Sequence, residues 1–172
     1  MKENKQKTVL VTGGAKGIGR QISLTMAEEG YDVVVNYRSD EAAAKEIRAQ
    51  IEAMGRKCLI VYGDMSKMED IRGMYEKAFE AFPTIDVVVN NAGISSEVYF
   101  LDATEEMFDH MTAVDWKGVF FSSQIAAKGM IERGTKVVII NVASNQVNGC
   151  WPRATINGPT KAAVCQFTKN EA

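Results

Sequence analysis

Lys161 stands four residues after Asn157 and opens the apolar stretch Lys161-Ala-Ala-Val164. Side chains four apart share one face of a helix, so each is within reach of the other. A lysine so placed usually makes sense as the charge partner of a group that gains or loses a proton. The Asn157 amide does neither at ordinary pH. Whether Lys161 belongs to an active site therefore depends on the rest of the chain.

A second chemistry is offered by Thr12-Gly-Gly-Ala-Lys-Gly-Ile-Gly19. Glycines permit a sharp turn and let backbone N–H groups approach an anion at a helix N-terminus, where the helix dipole also favours negative charge. The spacing of Gly13, Gly17 and Gly19 is Gly-x-x-x-Gly-x-Gly, which differs from the commoner Gly-x-Gly-x-x-Gly. Taken alone, the loop fits a phosphate cradle or a turn that holds nothing.

Downstream, Val35-Asn-Tyr-Arg-Ser39 carries no acid until Asp40. A site selective for NAD usually has an acid there to accept from the ribose 2′-OH. Here Arg38, with Lys16 in the glycine loop, supplies cations suited to a 2′-phosphate. The alternative is a pair of solvated surface charges. NADP(H) is the expected cofactor.

The elements that must position these residues alternate regularly. Thr8–Thr12, Val33–Val35, Leu59–Val61, Val87–Val89 and Val137–Ile140 read as short, wholly apolar strands. Between them, Ile18, Ile22 and Met26 recur at helical spacing until Gly30. Asp40–Met54 reads as a helix closed by Gly55, and Met68–Phe82 as one ended by Pro83. Met107–Arg133 is a long helical stretch or two helices, and a further helix starts near Pro159, where proline is tolerated in the first turn. Strands apolar throughout and separated by helices predict a parallel sheet covered on both faces, a doubly wound α/β fold.

Composition narrows the function classes. The 172 residues suffice for one domain with a real core. A net charge of −2 without a basic run gives no footprint for nucleic acid. Met1–Lys7 are polar, and no signal peptide or stretch of membrane-spanning length follows, which predicts a cytoplasmic protein. Cys58, Cys150 and Cys165 are odd in number and widely spaced, and read as reduced, mostly buried thiols. The single histidine, His110, has no second ligand nearby and reads as structural, so no metal is expected.

After the fourth strand comes Asn90-Asn-Ala-Gly93. With Thr12–Gly19 before it and Ser144 and Lys161 after it, the chain resembles the short-chain dehydrogenase/reductase family from the first strand to the last residue. Asn36–Ala44 is most similar to bacterial 3-oxoacyl-carrier-protein reductases and sugar dehydrogenases of that family. The resemblance implies a Rossmann-like fold and hydride exchange between NADP(H) and a small-molecule carbonyl or alcohol. It implies that Gly13, Gly17 and Gly19 line the pyrophosphate, with Ile18, Ala92 and Gly93 also on the cofactor. Asp64 would meet the adenine, and Asn90 would sit beside the ribose. Without the resemblance, Asp64 reads equally as a capping or turn aspartate.

The family's catalytic set is an asparagine, a serine, a tyrosine and a lysine. Ser144 matches the serine, which donates to the substrate oxygen as negative charge grows there. Lys161 matches the lysine, which binds the nicotinamide ribose and lowers the pKa of the tyrosine. The tyrosine belongs thirteen residues after Ser144 and four before Lys161, where this chain has Asn157. Tyr99, in the loop after the fourth strand, does not match that position. The asparagine position, two residues before Lys117-Gly118, holds Asp115. Lys161 thus looks like the surviving half of a pair whose proton donor has been replaced, with cofactor binding as its remaining role and a purely structural one as the alternative.

Family members also continue past the position of Ala172 with two more strands and the elements that shape a substrate pocket. The expectation is a single dinucleotide-binding domain over residues 1–172, incomplete at its C-terminus and truncated after the fifth strand and following helix. Turnover would then be weak or absent. The alternatives are a non-catalytic NADP(H)-binding module and a fragment of a longer reductase without function of its own. The implied strand order, 3-2-1-4-5-6-7, leaves Lys136–Asn141 as an apolar edge strand. That edge, with the flanking helices Val114–Arg133 and Pro159–Ala172, predicts a homo-oligomer.

Overall fold

Three valines in succession precede an asparagine twice in this chain, at Val33–Asn36 and at Val87–Asn90. β-Branched side chains restrict χ1 and fit a pleated, buried surface, so such runs extend. The computed structural model describes residues 6–135 and 138–172. It contains β1 (Thr8–Val11), β2 (Asp32–Tyr37), β3 (Cys58–Tyr62), β4 (Val87–Asn90) and β5 (Val138–Asn141). All pair in parallel, in the order β3-β2-β1-β4-β5. Lys136 and Val137, assigned from sequence to the last strand, lie outside the described residues.

The register sets Val9 opposite both Val33 and Val87, and Leu10 opposite Val34 and Val88. One face of the sheet, carrying Val9, Val11, Val33, Val35 and Val89, packs with residues of α1 (Gly17–Glu28) and α2 (Glu41–Ala53). The other, carrying Leu10, Val34, Val61 and Val88, packs with α3 (Met68–Ala81) and α5 (Val119–Glu132) through Ile71, Met74, Ala126 and Met130. Each fully buried valine or leucine contributes roughly 1.5–3 kcal/mol relative to exposure, which is why both faces stay covered. The fold is a Rossmann-like, doubly wound α/β sheet. Its strand order reverses between β1 and β4, and in such sheets the crevice at the carboxyl ends beside that switch point receives ligands.

Several boundaries differ from the sequence reading for identifiable reasons. The Met107–Arg133 stretch divides into α4 (Glu105–Thr112), capped by the Thr104 hydroxyl, a π-helical segment at Ala113–Gly118, and α5. Gly118 allows close packing there, since a Cβ would lie 2.5 Å from the Met65 carbonyl oxygen. The final helix, α6 (Asn157–Asn170), starts just before Pro159, which stands in its first turn. The buried face of α1 is Gly19, Ser23, Leu24 and Ala27, whereas Ile18 is 70% exposed. Small residues let that helix sit close to the glycine loop, and the apolar periodicity followed its flank. Of the cysteines only Cys58 is buried, its thiol pushed up to about 12 by burial; Cys165 is half-buried and Cys150 exposed. No described helix is long and apolar enough to cross a membrane, and no group of potential metal ligands occurs among the described residues.

Candidate functional site

The glycine loop is held by side chains from either side of β1: Asn36 on β2 and Asn91 just after β4. Gly13 adopts φ +61° and Gly17 φ +53°, left-handed conformations in which glycine has no steric penalty. The Asn36 carboxamide oxygen accepts from Gly13 N at 3.1 Å, and its Nδ2 donates to the Gly63 carbonyl at 3.0 Å. Asn91 Nδ2 donates to the Thr12 carbonyl at 2.9 Å, while Thr12 Oγ1 accepts from the backbone of Asn91 and Ala92. At Gly19 a Cβ would lie 2.3 Å from the Gly13 carbonyl oxygen and 2.5 Å from Asn91 Nδ2. The loops after β1, β2, β3 and β4 are thereby fixed around one groove.

That groove has a volume of about 440 Å³, and Gly13, Lys16, Gly17, Ile18, Gly19, Arg38, Asp64, Ala92 and Gly93 all line it. Arg38 is exposed and has no ion-pair partner among the described residues, whereas Lys16 is bonded to the Asp40 carboxylate. The two cations are therefore not equally available. Asp64 lines the wall and also accepts from Ser66 N and Oγ, at 2.9 and 2.8 Å, so its turn role and its place on the groove coexist. Burial would raise its carboxyl, but those bonds from Ser66 outweigh it and hold the group below the usual range.

Asn90 is placed differently from the expectation. It is buried, with Nδ2 donating to Ser123 Oγ at 2.9 Å and Asn141 Oδ1 at 2.8 Å, and Oδ1 accepting from Ser122 at 2.7 Å. Its amide ties β4 to β5 and α5 beneath the groove, with no place on the groove wall.

Beyond Gly93 lies a polar cluster. Asp115, fully buried in the π-helical segment, accepts from Ile94 N at 2.8 Å and from Asn157 Nδ2 at 3.3 Å. Asn157 Nδ2 donates also to the Ile94 carbonyl at 3.1 Å. Lys161 Nζ lies 3.7 Å from Asp115 Oδ2 and donates to the Val142 carbonyl at 3.4 Å. A Cβ on Gly93 would come within 3.2 Å of that ammonium, which places Lys161 directly behind the groove wall. Burial lifts the Asp115 carboxyl above its ordinary range, opposed by Lys161 and the Ile94 N–H. Ser144 accepts from Gln146 N at 3.2 Å and donates to Asn145 Oδ1 at 3.4 Å. No hydrogen bond among the described residues joins Ser144 to Asp115, Asn157 or Lys161.

Residues 7–172 match the family model described as short chain dehydrogenase. The chain belongs to the short-chain dehydrogenase family. Relatives in this family include an L-rhamnose 1-dehydrogenase (NAD(P)+) of Sphingomonas sp., 35% identical over all 172 residues of this chain and 68% of its own length. Acetoin dehydrogenase from Enterobacter cloacae superposes with a TM-score of 0.94 at 33% identity, over 98% of this chain and 67% of that one. A short chain dehydrogenase from Burkholderia cenocepacia in complex with NADP superposes with a TM-score of 0.88 at 29% identity, over 96% of this chain and 66% of that one. The chain thus spans about two thirds of the length of these short-chain dehydrogenases.

The groove of this short-chain dehydrogenase fits a dinucleotide on its own geometry. At Gly13 and Gly19 a side chain would crowd Asn91 and, from Gly19, the Gly13 carbonyl, so glycine lets the loop pack tightly; the α1 N-terminus opens onto the groove, and Arg38 lines it at the β2 end. Sequence reasoning missed Asn36 and Asn91, which hold the loop, and Ile94 and Val114, which line the groove. A signal for Asn36 was present, a polar amide directly after a triple-valine run; Asn91 stands one residue beyond the corresponding amide, Asn90, where a buried strand has reached its carboxyl end.

Proposed function

We propose that residues 1–172 form one dinucleotide-binding unit that holds NADP(H) in the groove and exchanges hydride slowly with a small-molecule carbonyl or alcohol. The nicotinamide supplies or accepts the hydride when bound. Gly13, Gly17, Ile18 and Gly19 receive the pyrophosphate, Asp64 meets the adenine, and Ala92 and Gly93 flank the ribose. Lys161, behind Gly93, would hold the ribose hydroxyls, and Ser144 would donate to the substrate oxygen. Asn157 occupies the donor position but has no proton to release at ordinary pH, and its amide is already committed to Ile94 and Asp115. A positioned general acid contributes ~10²–10⁴-fold, which sets the scale of the slowing.

The observation that carries the NADP(H) reading is Arg38 on the groove wall with no acid between Asn36 and Ser39. Titration with NADPH and NADH, followed by nicotinamide fluorescence, is expected to show tighter NADPH binding that Arg38→Ala removes. Equal affinity of the parent for both sinks the reading.

A second reading, a non-catalytic NADP(H)-binding module, is favoured by the mutual satisfaction of Asp115, Asn157 and Lys161 within the protein. NADPH oxidation above background with any of a panel of 3-oxoacyl thioesters, sugars and steroids decides for the oxidoreductase. We also propose self-association along β5, an edge strand whose Val138 and Ile140 are exposed.

A further inference from the structure

Beside the groove is a niche of about 120 Å³ bounded by Gly13, Lys16, Tyr37, Arg38, Ser39 and Asp40. Gly13, Lys16, Arg38 and Ser39 line both spaces, so the niche opens from the groove at the β2 end. Its charged side chains are two cations and one anion, and the anion holds one of the cations. Lys16 Nζ is bonded to Asp40 Oδ2, while Asp40 Oδ1 accepts from Ala43 N at 2.9 Å as the N-cap of α2.

These two bonds are unequal in freedom. Asp40 is anchored, because moving its carboxylate uncaps a thirteen-residue helix. Lys16 is a long, flexible stem whose side chain is 67% exposed, free to turn toward another anion. The Lys16 ammonium, followed by the Ala43 N–H, holds the Asp40 carboxyl below its usual range, so it is ionised at neutral pH.

We propose that Asp40 is a positioning residue that sets the discrimination between the two dinucleotides by keeping the Lys16 ammonium engaged on its own carboxylate at the niche wall. This rests on the dinucleotide reading above. A ribose 2′-phosphate entering the niche meets Arg38 directly but must draw Lys16 from Asp40, and it meets the Asp40 charge as repulsion. A dinucleotide with a free 2′-OH needs neither change. The parent chain therefore prefers NADPH less strongly than two unpaired cations would allow.

Asp40→Asn is the informative substitution, because asparagine caps a helix as well as aspartate and carries no charge. Exposed ion pairs are weak, so the expected gain is roughly three- to fivefold in NADPH affinity, with NADH affinity unchanged. Asp40→Ser, which also caps, should behave alike, and thermal melts of both should match the parent. In a double-mutant cycle, Lys16→Met should remove the gain in the Asp40→Asn background and have a smaller effect in the parent. Raising the salt should shrink the gain. If the parent prefers NADPH but both Asp40 variants leave the NADPH/NADH ratio unchanged, the Asp40 proposal is overturned and the cofactor reading stands. If the parent binds neither dinucleotide, both fall together.

Discussion

The Asn157 side-chain amide donates to Asp115 at 3.3 Å, so the two residues that the family resemblance reads as substituted catalytic positions are in contact. The departures compensate one another. An aspartate in place of asparagine lacks an N–H₂ donor and carries a charge. Asn157 returns a donor to that carboxylate and to the Ile94 carbonyl, and Lys161 balances the charge. A buried carboxylate without such partners is strongly unfavourable, and the pair of exchanges avoids that state.

Restoring a tyrosine should therefore require both positions. Asn157→Tyr alone removes the donor that faces Asp115 and leaves the Lys161 ammonium engaged by the carboxylate. In NADPH-dependent carbonyl reduction it should stay within about threefold of the parent, since a general acid works only when positioned. Asp115→Asn combined with Asn157→Tyr should reach the lower end of the ~10²–10⁴-fold range. Should the single variant match the double one, the two positions are not coupled.

Proton linkage offers a test that does not depend on turnover. In the native state Asp115 is lifted above its unfolded value by burial, with Lys161 pulling the other way. A folded-state pKa raised in this way gives stability that is present below the unfolded value of about 3.9 and lost as pH rises through the folded value. Lys161→Met removes the opposing charge and raises Asp115 further, so its deficit should grow with pH. Breaking a buried pair costs about 3–5 kcal/mol, and we expect a loss of that order in urea titrations near neutral pH. Toward acid, where Asp115 is protonated, the loss should be clearly smaller. A deficit independent of pH would mean that Asp115 does not titrate against Lys161.

Gly19→Ala tests the cradle itself. The added Cβ meets the Gly13 carbonyl oxygen at 2.3 Å and Asn91 Nδ2 at 2.5 Å, so the loop must shift. Overpacking of this kind destabilises by about 1–3 kcal/mol, read as a lower melting temperature. Dinucleotide affinity should fall more than stability, because the backbone that faces the anion is what moves. Unchanged binding would remove the glycine loop from the site.

The strands were legible because each buried run is made of β-branched residues and bounded by polar or turn residues. Their order came from the family resemblance, and the sheet has it. The helical spacing of Ile18, Ile22 and Met26 locates α1 but not its buried face, because Gly19, Ser23 and Ala27 are buried for their small size, which hydrophobic periodicity does not register. Asn90, expected beside the ribose, uses its amide on partners in two other elements, α5 and β5, a role set by tertiary packing. The contact of Asp115 with Asn157 joins the π-helical segment to α6, and no local spacing encodes it. The Lys16–Asp40 bond was hidden for the same reason: the sequence shows both charges but not which of them meet.

The last prediction concerns the free edge of the sheet. Among the described residues β5 pairs with β4 on one side only, and no strand pairs with the backbone N–H and C=O groups of its other side. Val138 and Ile140 are 54% and 47% exposed on this strand, so apolar area and backbone polarity are offered together. Edges of this kind are ordinarily blunted by a lysine, a proline or a bulge, and Val138–Asn141 has none of these residues. Light scattering at low micromolar concentration should show a dimer or larger species. Ile140→Lys places a charge on the edge and should shift the population toward monomer, with the thermal melt little changed because the side chain is already half in solvent. A monodisperse parent monomer at that concentration would show that β5 does not recruit a second chain.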